Sequence, residues 1–157
     1  MRAVISAANR RSQLVLRWSF PSTESGSDVQ AFHRDSDDWR YVKVMVYLTD
    51  VYDDAGPHVY VLGTHLGKPS LRLQHYSDES VLRTYGADRI VSVTGPSGLG
   101  FAVDTAGIHK GAVPTLTPRL MLQIQYSLLP AYAYRYEPQS YSGSLELDPY
   151  INRLFIK

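Results

Sequence analysis

Tyr41-Val42-Lys43-Val44-Met45-Val46-Tyr47-Leu48-Thr49 alternates with period two, and this run decides what kind of fold the chain builds. On an extended strand successive side chains point to opposite faces. Val42, Val44, Val46 and Leu48 therefore share one face, and Tyr41, Lys43, Met45 and Tyr47 share the other. The run that ends at Leu128 repeats the arrangement. There Leu120, Leu122, Ile124 and Tyr126 oppose Arg119, Met121, Gln123 and Gln125. In both runs one face is wholly apolar and the other is mixed. Two architectures accommodate this. In an open antiparallel sheet the apolar face packs on the core and the mixed face meets water. In a barrel the mixed faces line a cavity whose polar groups hold a ligand.

Outward from these runs, further strand-like stretches recur between turn signals. They cover Leu14 to Phe20, Val29 to Asp35, His58 to Leu62, Ile90 to Val93 and Leu99 to Asp104. Pro21 to Asp28, Asp35 to Asp38, Asp53 to Pro57 and Gly95 to Gly98 read as loops and turns. Asp78 to Tyr85 fits a short helix with Ser77 as its N-cap. The tail after Pro130, with Tyr132, Tyr134, Tyr136 and Tyr141, receives no element. Many short strands with Gly/Pro turns and few short helices give a mainly β chain of the sandwich, jelly-roll or small-barrel kind. Tyrosine supports this, with 12 residues against 4 Phe and 2 Trp. No repeat or linker divides the chain, so residues 1–157 are expected to form a single domain.

Composition removes several function classes. A chain that is 44% hydrophobic and 20% charged is not wholesale disorder. Sixteen Lys and Arg against 15 Asp and Glu leave a net charge of +1, which makes no case for nucleic acid or an anionic membrane as partner. The absence of cysteine excludes disulfides, zinc–thiolate sites, iron–sulfur clusters and a cysteine nucleophile. No apolar run reaches spanning length. The first 23 residues are Arg-rich and acid-free, as transit peptides are, but Leu14 to Phe20 reads as a strand running into the fold. The expected location is cytoplasmic.

His-Glu-x-x-His, a P-loop, a nucleophile elbow and a dinucleotide fingerprint are all missing. One constellation remains. Of His33, His58, His65, His75 and His109, only His33 has a carboxylate two residues away on a strand, in His33-Arg34-Asp35. Period two puts imidazole and carboxylate on one face, as two ligands for a first-row metal. A third neutral ligand would complete a two-His-one-carboxylate triad with open positions. His109 lies downstream in Asp104-Thr105-Ala106-Gly107-Ile108-His109-Lys110-Gly111, and Arg119 opens the last strand on its mixed face. A guanidinium there can grip a dicarboxylate bidentately.

Three blocks carry a resemblance to a known family: Gln30-Ala31-Phe32-His33-Arg34-Asp35 with Val42 to Asp50, Ala55-Gly56-Pro57 to His65, and Asp104 through His109-Lys110-Gly111 to Pro114 and Arg119. In this order they resemble the phytanoyl-CoA dioxygenase family of Fe(II)/2-oxoglutarate oxygenases. The resemblance implies a double-stranded β-helix (cupin-like jelly roll). It implies Fe(II) held by His33, Asp35 and His109, and 2-oxoglutarate as cosubstrate with its distal carboxylate on Arg119. Gln30, Lys43 and Thr105 are further cosubstrate-pocket candidates. The implied activity is oxidation of an unidentified small molecule or acyl derivative: relatives that halogenate replace the carboxylate at Asp35 with a small residue, so its presence favours hydroxylation, with desaturation or ring closure left open. His65 is expected to order its loop, Asp37 and Asp38 to be solvated turn residues, and Trp39 and Tyr41 to pack or to face substrate.

Two departures stand out. Family members carry a longer, largely helical N-terminal region, whereas about a dozen residues precede the first expected strand here. That makes the chain a minimal form, a fragment or one that depends on a partner, and a homodimer is one way to cover an open flank. The second is Leu62 where the family's loop has proline, which is expected to loosen that turn. The rival readings are a non-catalytic jelly-roll ligand-binding module and a cupin-type metalloenzyme that does not use 2-oxoglutarate.

Overall fold

The computed structural model describes residues 4–9, 12–24, 26, 28–37, 41–67 and 74–127, with positions 140, 142, 143, 146 and 148. In chain order the strands are β1 (Val4–Asn9), β2 (Ser12–Ser19), β3 (Phe32–Arg34), β4 (Tyr41–Tyr47) and β5 (His58–Val61). They continue with β6 (Gln74–Tyr76), β7 (Ile90–Val93), β8 (Gly100–Val103), β9 (His109–Gly111) and β10 (Arg119–Ser127). A single α-helix among the described residues, α1 (Asp78–Tyr85), follows β6. Two antiparallel sheets result, in the orders β1-β2-β10-β4-β8 and β6-β3-β9-β5-β7. From β3 to β5, and again from β7 to β10, successive strands alternate between the two sheets. The chain is thus a mainly β, double-stranded β-helix. No helix among the described residues is long and apolar enough to cross a membrane.

Burial decides between the two readings of the alternating strands. Along β4, Tyr41, Lys43, Met45 and Tyr47 are buried, while Val42 on the other face is 43% exposed. Along β10, Arg119, Met121, Gln123 and Gln125 are buried, and Tyr126 is half-exposed. The mixed faces turn inward and the apolar rows turn outward, so the core-against-solvent reading is reversed. The physical reason is a cavity between the sheets, where the buried polar side chains surround an opening instead of displacing a dry core.

Two apolar clusters flank that cavity. Met45, Tyr47, Val51, Ala55 and Met121 fill one end between the sheets, with Val93, Leu99, Phe101 and Val103 against them. Phe32, Val59, Val61, Val81 and Ile108 pack beneath α1 on the outer face of the second sheet. Lys110 pins α1 there. Its Nζ lies 4.4 Å from the Phe32 ring centroid and donates to Asp78 at 2.6 Å. Ser77 caps α1 as expected, its Oγ accepting from the Ser80 N–H at 3.2 Å.

Other expectations shift. The stretch from Val29 to Asp35 is a 3-10 turn at Asp28–Gln30 followed by the three-residue β3, because Asp28 takes a left-handed φ of 54° that breaks an extended run. The unexpected β1 pairs with β2 from Val4↔Arg17 to Asn9↔Ser12. The unexpected β6 and β9 have three residues each, too few to display a period. Leu62 does not leave its turn unsupported: its N–H donates to Arg89 O at 2.8 Å, and Thr64 Oγ1 donates to Val61 O at 2.7 Å. Asp38, Trp39, Leu128 and the Tyr-rich tail expectations lie outside the described residues, apart from the isolated positions named above.

Tyr47, fully buried, ties the sheets together through one hydroxyl. It donates to Val93 O at 2.7 Å and accepts from the His58 N–H at 2.9 Å. Tyr47→Phe leaves both backbone groups without that partner, so a loss of about 1–3 kcal/mol is expected. A lowered urea midpoint at unchanged m-value is the reading that checks it.

Candidate metal centre

Three short segments deliver the central group. His33 comes from β3, Asp35 from the position directly after it, and His109 from the start of β9, which pairs with β3 through His33↔His109. The two imidazole centroids are 4.3 Å apart. His33 Nε2 lies 3.3 Å from Asp35 Oδ1, and His109 Nε2 lies 3.7 Å from Asp35 Oδ2. One ligand atom from each of the three residues falls within 4.8 Å of the others, close enough to share one ion.

Both imidazoles are oriented by the same local device. His33 Nδ1 meets Ala31 O at 2.8 Å, and His109 Nδ1 meets Gly107 O at 2.9 Å, in each case the carbonyl two residues back. A carbonyl can only accept, so Nδ1 carries the proton and the Nε2 lone pair is left for a metal. The Asp35 N–H donates to Thr105 O at 3.0 Å, which fixes the carboxylate's backbone. The donor set, two neutral nitrogens and one carboxylate, is that of a facial-triad site for a first-row divalent metal.

Electrostatics keeps these groups in their ligating forms. Burial pushes the Asp35 carboxyl up, but its neighbours, the Lys43 charge foremost, outweigh it and hold it well below the usual carboxylate range. Lys43 Nζ, from β4 in the opposite sheet, donates to Asp35 Oδ2 and lies 3.6 Å from Asp37 Oδ2. Burial lowers His109 to about 4, partly opposed by Asp35. Burial, then the His109 and Arg119 charges, lower His58 well below the ordinary imidazole value.

The sequence-predicted residues are distributed as follows. Gln30, Lys43 and Arg119 line the same cavity as His33, Asp35 and His109. Thr105 is fully buried and does not line it; its carbonyl, not its side chain, touches the site through Asp35. Asp37 is no mere solvated turn residue, because it faces Lys43. His65 sits in a 3-10 turn outside the metal-competent group, and His75 lies opposite His33 on β6, its ring 6.2 Å away and exposed. Arg119 donates through Nη2 to Ser19 Oγ at 3.1 Å, and burial lowers its pKa. The residue that sequence reasoning passed over is His58. It is 3% exposed, lines the cavity and stacks on His109 at 5.4 Å. The available signal was its place at the head of β5, whose inward face is set by period two.

Fold and site together define a jelly-roll protein with a His-Asp-His group able to hold a metal. Residues 1–112 match the family model Phytanoyl-CoA dioxygenase (PhyH), and the chain belongs to that family. No curated protein matches it. Among solved structures it is similar to SnoK, a non-heme alpha ketoglutarate dependent carbocyclase from nogalamycin biosynthesis (17% identity, 73% of this chain, 47% of that one, TM-score 0.53). It is similar to EctD from S. alaskensis with 2-oxoglutarate and 5-hydroxyectoine (19% identity, 76% and 45%, TM-score 0.52). It is also similar to ThoJ, a non-heme monooxygenase (25% identity, 73% and 44%, TM-score 0.51). The chain spans less than half the length of each of these three.

The depressed imidazole of His109 fixes a pH dependence for the metal-free protein. Between about pH 6.5, the ordinary value, and about 4, the unfolded chain binds a proton that the folded one refuses. Stability is therefore full above that window and falls as pH drops through it, with His58 adding in the same direction. Chelator-treated protein is expected to unfold at lower urea at pH 5 than at pH 7; equal midpoints would contradict a buried neutral imidazole.

Proposed function

We propose that the chain is the core of an Fe(II)- and 2-oxoglutarate-dependent oxygenase that hydroxylates a small molecule or acyl derivative. The observation that carries this reading is the placement of Arg119 in the same cavity as the His33, Asp35 and His109 group. His33 Nε2, the Asp35 carboxylate and His109 Nε2 would hold the iron. Iron bound with 2-oxoglutarate supplies dioxygen activation and oxidation of a substrate C–H bond.

The chain's own residues do the positioning. Arg119 has Nε and Nη1 without hydrogen-bond partners among the described residues, in a buried setting that suits the distal carboxylate of a dicarboxylate cosubstrate. Lys43 holds Asp35 Oδ2 and leaves Oδ1 beside His33 Nε2, where it would be available to the iron. A cavity of about 370 Å³ has room for a cosubstrate and a small part of a substrate. Val15, Val29, Met45 and Met121 give part of that cavity an apolar wall against which a reacting carbon can be held away from water. The Gln30 side chain lines the same space and can hydrogen-bond either ligand.

Anaerobic addition of Fe(II) and then 2-oxoglutarate tests the assignment. The chelated complex is expected to show its weak visible charge-transfer band. His109→Ala is expected to abolish the band, and Arg119→Ala to require at least tenfold more 2-oxoglutarate to reach it. A folded wild-type protein with no band, or an Arg119→Ala variant that titrates like wild type, would overturn the cosubstrate assignment.

A further inference from the structure

His58 has a buried imidazole that the metal group does not use. Its backbone is fully engaged: the N–H donates to Tyr47, and the residue pairs with Val93 on one side and Gly111 on the other. Its ring is not. His58 Nε2 is buried and has no hydrogen-bond partner among the described residues. Such a group in a native structure calls for an explanation, because an apolar side chain against Phe101 would pack there without the unmet polar atom.

The register says where the ring sits. His58 and Gly111 are directly opposite, so their side-chain positions share one face at close range. A Cβ on Gly111 would lie 2.9 Å from Arg119 Nη2, so the guanidinium rests over Gly111 beside the imidazole. Nη2 is taken by Ser19, which leaves Arg119 Nε and Nη1 and His58 Nε2 as three buried nitrogens without hydrogen-bond partners among the described residues, on two side chains that line the cavity. The guanidinium offers only donors, and a carboxylate offers two oxygens with about four acceptor sites. One carboxylate can satisfy all three nitrogens at once.

We propose that His58 donates a hydrogen bond from Nε2 to the carboxylate that Arg119 binds, and so sets the preference of this cavity for a 2-oxo dicarboxylate over a 2-oxo monocarboxylate. The proposal rests on the cosubstrate reading of Arg119 given above and adds to it a residue and a selectivity. A monocarboxylate of the same chain length would leave the three nitrogens unmet, and sites built around buried polar groups reject such analogues strongly.

The test is calorimetric titration of Mn(II)-loaded protein with 2-oxoglutarate and with 2-oxopentanoate, which lacks only the distal carboxylate. Wild type, His58→Leu, His58→Gln and Arg119→Ala are compared, with Mn(II) affinity measured first in each. His58→Leu is expected to weaken 2-oxoglutarate binding tenfold or more, to leave 2-oxopentanoate and Mn(II) affinities within about twofold, and His58→Gln to recover part of the loss. Equal weakening of both 2-oxo acids, or no weakening of 2-oxoglutarate in either His58 variant, would overturn the role of His58. If Arg119→Ala still costs selectivity in that case, the cosubstrate reading stands without it. A wild-type protein that binds the two acids equally would overturn both.

Discussion

Asp35 is a carboxylate held between two imidazoles and an ammonium in a space that water barely reaches, and much of the barrel serves to keep it charged. Burial alone favours the protonated acid. Lys43 reverses that balance from the opposite sheet, so the ion pair also fastens β4 to the segment after β3. A buried pair of this kind is stable only when its remaining donors and acceptors are met and its geometry is held. Asp37 beside Lys43 meets part of that requirement, while the two Nε2 lone pairs and the carboxylate are left facing one another, as a metal site requires. The same requirement explains why the inward face of β4 carries a lysine between Tyr41 and Met45.

Precision at the centre comes from backbone as much as from side chains. Each histidine is steered by the carbonyl two residues before it, and Asp35 by the carbonyl of Thr105. These partners lie in turns flanking β3 and β9, strands too short to owe their position to their own ladder. Their placement is borrowed from packing on the other side of the sheet. Phe32 and Ile108, neighbours in sequence to His33 and His109, are buried in the cluster under α1, and Arg34 donates to Thr64 O and Ala106 O at 2.7 Å each. Alternation does the rest: anchoring the outward residues of β3 fixes its inward one.

Much of this was legible in the sequence. The long strands β4 and β10 showed their period, α1 showed its cap, and His33-x-Asp35 showed a convergent pair. What periodicity could not settle was which face is inside, since apolar-in is the ordinary rule and the barrel inverts it around a cavity. The short strands β6 and β9 hold too few residues to show a pattern; β6 pairs with the equally short β3, and β9 lies between β3 and β5. Thr105, a cosubstrate-pocket candidate, touches the site through its carbonyl, which accepts from the Asp35 N–H, a contact that no residue type announces. His58 was overlooked for a related reason. Its proximity to Arg119 is created by the pairing of β5 with β9 and by the bare Cα of Gly111, and neither is visible from spacing along the chain.

Two groups in the cavity share one physical condition. Around Asp35, two nitrogen lone pairs and a carboxylate face each other with Lys43 as cationic balance; at Arg119 and His58, a guanidinium and an imidazole hold nitrogens that nothing in the described protein meets. Buried polar groups of this kind disfavour folding unless something completes them. The fold offsets that disadvantage elsewhere, in the apolar cluster around Tyr47 and in the outer cluster beneath α1. The methionines Met45 and Met121 line the same cavity from neighbouring strands of one sheet and give it adaptable apolar surface. A ligand that completed both groups would stabilise the barrel by binding only its folded form. The chemistry of the cavity and the stability of the fold are therefore linked through the same few residues.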